Sequence, residues 1–459
     1  MRFLMNLRSA WLFLVLFVIG CKRGDYSKVV HDPLLYAKTV KKLNDIVLEN
    51  NFPPMIGSRN YAYANIAAYE CMVAGDSNYV SLHGLIKHMP QMPAPTEGKR
   101  VDFALSALLA FTKVGNAVTF PEGSMMGYYD QLIETAEDAG MPGDLVENSK
   151  EFADRVSDAV MAWSKKDNYA ETRSASKFTV TDEEGRWVPT PPAYSSATEA
   201  HWMEIRPFVL DSASACKPVA APKYNMKDTS SLFYKAAMQV KTSVDSLDDE
   251  KRHIADFWDD NPFKTNKIGH VEFATKKFSP PGHWMNIVGI ATQKAKNDFD
   301  ATIYAYTKTS IALFDGFIVC WDEKYRSNLV RPETVINKYI DPEWRPYIQT
   351  PPFPSYVSGH SVVSAAACEV MTDIFGDNFS FTDTSSVEFG IKERSFSSFY
   401  QAANEASISR LYGGIHYLFD MTEGAKSGQQ LGKLVNNRLR MYKMQKPSEI
   451  ASQKKPETN

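Results

Sequence analysis

The 459-residue chain lacks most of the short signatures that announce a common chemistry. It has five cysteines and no CxxC pair, which argues against a zinc ribbon, a thioredoxin-type redox site and an iron–sulfur cluster. There is no GxGxxG, no Walker loop and no strand–helix alternation, which disfavours a doubly wound nucleotide-binding fold. Charge of one sign is also missing. The 51 Lys and Arg against 54 Asp and Glu leave a net charge of −3, which gives no basic footprint for nucleic acid. Beyond the N-terminus no stretch is apolar enough to cross a bilayer, and no repeat of period 20–50 occurs. The rest is ordinary globular material. Hydrophobic residues make up 44% and charged residues 23%, which rules out a mostly disordered, collagen-like or coiled-coil chain. An aromatic share of 12% supplies a thick core.

Residues 1–20 read as a targeting segment. Arg2 and Arg8 precede an apolar run over 11–19, short of the roughly 20 residues a spanning helix needs. Val18, Ile19, Gly20 and Cys21 resemble a bacterial lipoprotein cleavage box with Cys21 taking the lipid; ordinary secretion is the alternative. The expected home is periplasmic or cell-surface, with the lipid anchor as the only tie to a membrane. In an oxidising compartment Cys71, Cys216, Cys320 and Cys368 could pair or stay as buried thiols; spacing does not decide.

Apolar residues recur at three- and four-residue steps over 36–51, 59–74, 101–119, 126–139 and 145–166. The character changes over 172–225, where Phe178 to Thr181, Gly185 and the stretch from Trp187 to Pro192 predict a small hairpin and a proline-rich crossing loop. Helices are expected again over 230–243, 249–258, 283–296, 298–330, 358–374, 396–411 and 417–442. The reading is all-α: a helical bundle with long loops crossing its mouth. Its divisions are a signal segment 1–20, an N-terminal helical region 22–279, a C-terminal bundle 280–444 carrying the site, and a disordered tail 445–459.

Three segments of the C-terminal third carry chemistry. Lys324 and Arg331 are seven apart, two helical turns, so they are expected to share a helix face, and Pro332 is expected to end that helix. Ser358, Gly359 and His360 precede an apolar helix, with Ser358 as N-cap and free amides available to an anion. Arg410 leads to His416, and Asp420, four residues on, can accept the imidazole N–H and fix its tautomer. Taken singly, each is an ordinary surface pair, cap or structural hydrogen bond. Together they supply three cations, a hydroxyl, amides and two histidines, a set suited to an oxyanion with several negative oxygens.

The order Lys-x6-Arg-Pro, Pro-Ser-x3-Gly-His and Ser-Arg-x5-His-x3-Asp resembles the signature of the type-2 phosphatidic acid phosphatase and vanadium haloperoxidase superfamily. The match covers roughly residues 280–440. Looser likenesses to bacterial vanadium-dependent haloperoxidases lie at Trp187 to Pro192, Arg206 to Phe208 and Pro281 to Trp284. The resemblance implies a vanadate cofactor with His416 as the vanadium ligand. It implies that Lys324, Arg331 and Arg410 neutralise the vanadate oxygens, helped by Ser358 and the Gly359 amide. His360 would be the acid–base group at the opposite apex, and Asp420 would orient His416. Phosphatase relatives use the residue at the His416 position as the phosphoryl-accepting nucleophile, which leaves an acid phosphatase as the alternative. The shared site is reasonable because five-coordinate vanadate mimics the phosphoryl-transfer transition state.

Trp321 and Phe353 would flank the pocket, a pair similar to the fungal chloroperoxidase pattern that does not by itself set halide choice. The long segment before Lys324 favours the oxidase branch. The implied reaction uses hydrogen peroxide, with a Lys324 contact polarising it, to oxidise a halide, iodide most readily and then bromide. The product is a hypohalous-acid equivalent that halogenates small organic acceptors. A monomer is compatible with this reading.

Overall fold

The computed structural model describes residues 25–261, 265–268, 271–274 and 277–443, with side chains undescribed between 262 and 276. The leader, Cys21 and the tail at 445–459 lie outside the described residues. The helices are α1 (Ser27–Val30), α2 (Pro33–Glu49), α3 (Pro54–Val73), α4 (Phe103–Ala117), α5 (Met126–Asp138), α6 (Gly143–Ser164), α7 (Tyr169–Ser174), α8 (Leu232–Asp245) and α9 (Asp249–Phe257). After them come α10 (Pro280–Ala295), α11 (Phe299–Ser327), α12 (Pro332–Tyr339), α13 (Gly359–Phe375), α14 (Phe399–Tyr412) and α15 (Leu418–Arg438). Two small antiparallel hairpins accompany them: β1 (Thr265–Ile268) with β2 (Val271–Ala274), and β3 (Phe381–Asp383) with β4 (Arg394–Phe396). Among the described residues no helix is long and apolar enough to cross a membrane.

Capping sets the helix starts. Asp32, Asp102, Asp298, Ser358 and Ser398 each place a side-chain oxygen on a first-turn N–H of the helix that follows. Helix α11 is the central post, buried along almost its whole length and packed between α3 on one side and α13 on the other. Helices α13 and α15 pack closest, because Gly424, Gly428 and Gly432 recur every four residues on the face of α15 that meets α13. A Cβ at Gly428 would stand 2.2 Å from the Val362 carbonyl, and one at Gly432 would stand 2.4 Å from the Glu369 Cβ. Only glycine admits that approach, and it draws the N-terminus of α13 onto that of α15. Ser358 N donates to the Asp420 carbonyl at 3.1 Å.

Three sequence expectations need correction. The hairpin expected near 178–190 does not form; that segment runs without strand and pairs outward instead. Trp187 N donates to the Asn328 carbonyl, and Val330 N to Gly185, so its backbone is satisfied against the segment after α11. Second, Lys324 and Arg331 do not share one helix face. Helix α11 stops at Ser327 because Asn328 takes the left-handed conformation, φ 46°. Third, Pro332 does not end a helix but begins α12, with Arg331 extended at its N-cap. The four described cysteines are buried free thiols.

The looser motif at Arg206 to Phe208 serves as scaffold. Asp315 of α11 accepts the N–H groups of Phe208, Val209 and Leu210 at 2.8–3.1 Å. Asp167 holds Arg59 and Tyr63 at 2.8 Å each, and Arg206 donates to the same tyrosine hydroxyl. Thr198, in the crossing loop, accepts from Trp321 Nε1 and Tyr325 OH.

Candidate active site

The C-terminal parts of α11 and α14, the start of α13 and the loops before α13 and α15 converge on one pocket. Trp321, Phe353, Gly359, His360, Arg410 and His416 all line it. Lys324 and Arg331 lie immediately behind Phe353, with Lys324 Nζ 4.9 Å and the Arg331 guanidinium 5.0 Å from its ring centroid. Every residue singled out from the sequence is thereby drawn to one place, although Arg331 arrives from a different element than expected.

His416 precedes α15 and is buried. Its Nδ1 lies 2.8 Å from Asp420 Oδ2, and Arg331 Nη1 lies 3.1 Å from its Nε2. The Arg331 guanidinium can only donate, so Nε2 is the acceptor and Nδ1 carries the proton that Asp420 accepts. Burial, then the charges of Arg331, Lys324 and Arg410, holds the imidazole well below its ordinary pKa, so the ring is neutral near pH 7. Nε2 accepts from Arg331 Nη1 here, and a neutral ring that can turn that lone pair to a metal centre is what ligation requires. Asp420 is fixed in turn by the Ser355 hydroxyl at 2.5 Å and Tyr417 N at 3.2 Å, and burial raises its own pKa.

Three cations are buried here at 0–2% exposure: Lys324, Arg331 and Arg410. Burial lowers the pKa of each. Lys324 donates to the carbonyls of Pro354 and Ser355 at 2.8 and 3.0 Å. Arg331 donates to the carbonyls of Phe353 and Ile415 at 2.7 and 2.8 Å. Arg410 donates to the Trp258 carbonyl and, at 3.1 Å, to Ser409 Oγ. Carbonyls orient these groups, the charges of Asp420, Asp259 and Asp260 act on them from nearby, and Arg331 Nη2 has no partner among the described residues. Burying such a charge is costly unless an anion completes it. No cluster of three His, Cys, Asp or Glu stands ready for a bare metal cation among the described residues. The donor set therefore fits a metal delivered as an oxyanion, held by the cations and by His416 Nε2.

Ser358 caps α13 as expected, accepting Ser361 N at 3.3 Å. A Cβ at Gly359 would meet only Cys320 at 3.9 Å and Trp321 at 4.0 Å, so packing does not demand glycine there. His360 follows in the first turn. Burial, and next the charge of Arg410, lowers its pKa to about 4 against the opposing pull of Asp260 and Asp259. Its Nε2 lies 3.6 Å from Asp260 Oδ2, an approach rather than a closed hydrogen bond.

Asp260 is the site residue that sequence reasoning missed. It lines the pocket with Asp259 and Asn261 just after α9. The acidic pair at a helix end was visible, but nothing local tied it to His360, a hundred positions on.

The VCPO second helical-bundle domain matches residues 304–444. No curated protein matches the sequence. The fold is shared with holo-type and apo-type bacterial vanadium-dependent chloroperoxidases, both at 16% identity. The first has TM-score 0.61, covering 84% of this chain and 92% of that one. The second has TM-score 0.62, covering 84% and 94%. A bacterial vanadium-dependent iodoperoxidase is similar at 45% identity and TM-score 0.86, over 90% of this chain and 98% of that one. At that identity, across nearly the whole of both chains, the protein belongs to the vanadium-dependent haloperoxidase family.

Proposed function

We propose that this chain is a vanadate-dependent haloperoxidase that uses hydrogen peroxide to oxidise iodide first and bromide second. The observation that carries the reading is the neutral His416 lining the pocket beside Arg410, with Lys324 and Arg331 buried behind Phe353 and Arg331 Nη1 at His416 Nε2. Vanadate, when bound, supplies a Lewis acid that activates hydrogen peroxide toward two-electron halide oxidation without changing its own oxidation state. Arg331, Arg410 and Lys324 neutralise its oxygens, and Asp420 keeps the His416 tautomer fixed. His360, held neutral near pH 7, would accept and return a proton in the pocket it lines with His416. The mainly apolar lining from Trp321, Phe353, Phe317 and Ile348 favours a large, weakly hydrated anion. The oxidised halogen then reacts with electron-rich organic molecules.

Export as a lipoprotein through Cys21 belongs to the same proposal. Its support is the leader sequence, and radiolabelled lipid incorporation that is lost in Cys21→Ala tests it. The catalytic reading is tested by turnover of iodide, bromide and chloride after vanadate loading in phosphate-free buffer. Turnover falling in that order is expected. Hydrolysis of phosphate monoesters without halide turnover would favour the acid phosphatase, with His416 as nucleophile.

A further inference from the structure

His283, in the first turn of α10, is fully buried. Its Nδ1 lies 3.0 Å from Asp260 Oδ1, and its Nε2 lies 2.9 Å from Asp383 Oδ2. Two carboxylates can both accept from one imidazole only if both ring nitrogens carry hydrogen. Burial works against that charged form, but Asp260 and Asp383 outweigh it and hold the ring at a pKa of about 10. The ring also stacks on Trp258, with centroids 4.6 Å and planes 29° apart.

Each contact leads to the pocket. Asp260 turns its second oxygen toward His360. The Trp258 carbonyl accepts from Arg410. The outer end is anchored as well, since Asp383 on β3 takes Ser385 N at 2.9 Å and Ser385 Oγ at 2.6 Å on its other oxygen.

We propose that His283, clamped by Asp383, is a positioning residue that sets Asp260 against His360 and the Trp258 carbonyl against Arg410. It thereby governs the acid–base wall of the site without touching substrate or vanadate. The inference rests on the haloperoxidase reading for its kinetic arm only. A core Asp–His–Asp cluster with a purely structural role would have no need to end on two pocket residues.

The electrostatic signs are fixed by the groups present. Arg410, Asp260 and Asp259 act on His360, with His416 across the pocket. Asp260 and Asp383 act on His283, with the Phe257 and Trp258 rings beside it. Removing the imidazolium leaves Asp260 less neutralised, which favours protonated His360. Removing the Asp383 charge does the reverse.

The test uses the full chain as His283→Gln and Asp383→Asn, loaded with vanadate. Iodide turnover is followed against pH beside melting temperature. His283→Gln is expected to move the acid limb upward by about one pH unit, and Asp383→Asn to move it downward. Lower melting temperatures with an unmoved acid limb in both would overturn the proposal and leave a structural role. A second measurement needs neither variant nor activity: histidine ¹⁵N NMR of the vanadate-free wild type at pH 8. His283 with both nitrogens protonated is expected, and a neutral ring there overturns the proposal. Wild type that takes no vanadate and turns over no halide would defeat the functional reading, while the NMR result would still judge the clamp.

Discussion

The two walls of the pocket are built differently. On the His416 wall the key partners are close in sequence: His416 and Asp420 are four apart, and Lys324 and Arg331 are seven apart. On the His360 wall they are far apart. Asp260 meets both His283 and His360, and His283 meets Asp383 a hundred residues on. The first wall is built from three short motifs, each compact in sequence, that helix packing brings together. The second is assembled only when α9, α10, α13 and β3 come together. On the proposed reading the first wall would hold the cofactor and the second would set proton handling, so damage to each should have a different signature.

The largest effect expected from breaking this contrast belongs to His416. His416→Ala removes the Nε2 donor, so iodide turnover should fall to background and bound vanadium should be lost, checked by metal analysis beside activity. Retained vanadium with full turnover would mean that another residue holds the metal.

His360→Ala should behave in the opposite sense. Vanadium content is expected to stay near wild type while turnover falls by about 10²–10⁴-fold, the usual worth of general acid–base help. A variant with unchanged turnover and a lower melting temperature would reduce His360 to a helix-cap residue.

Asp420→Asn sharpens the first wall. It leaves His416 in place but loosens its tautomer and orientation, so vanadate should bind roughly 10–100-fold more weakly. Equilibrium titration in phosphate-free buffer checks this, and activity at saturating vanadate should recover in large part.

The smallest effect on chemistry, though not on stability, is expected at Gly428. Gly428→Ala places a methyl against the Val362 carbonyl and should destabilise by about 1–3 kcal/mol, the cost of overpacking. Denaturant unfolding reads this directly. Unchanged stability would mean that α13 and α15 can separate freely.

The same contrast explains what was legible in the sequence. The helices were readable because their apolar periodicity and caps are local, as with Asp298 before α11 and Ser358 before α13. The cofactor wall was readable because three ordered motifs carry it. The hairpin expected near 178–190 failed because β-like residues show a need for hydrogen-bond partners but not where those partners lie; here they lie at 328–330. Pro332 is the stronger stop signal in the sequence, but the left-handed backbone at Asn328, which a non-glycine residue does not announce, ends α11 at Ser327. Asp260 and the partners of His283 were invisible because long-range pairing leaves no spacing to read. The glycine spacing of α15 was present but gains meaning only with α13 beside it.

The most direct test of the account is a vanadate titration of the purified, vanadate-free chain, with iodide oxidation by hydrogen peroxide as the readout. Turnover should appear in proportion to bound vanadate, saturate at one vanadate per chain, and be suppressed by phosphate competing for the same cations. Halide oxidation that needs no vanadate, or vanadate binding that phosphate leaves untouched, would contradict it.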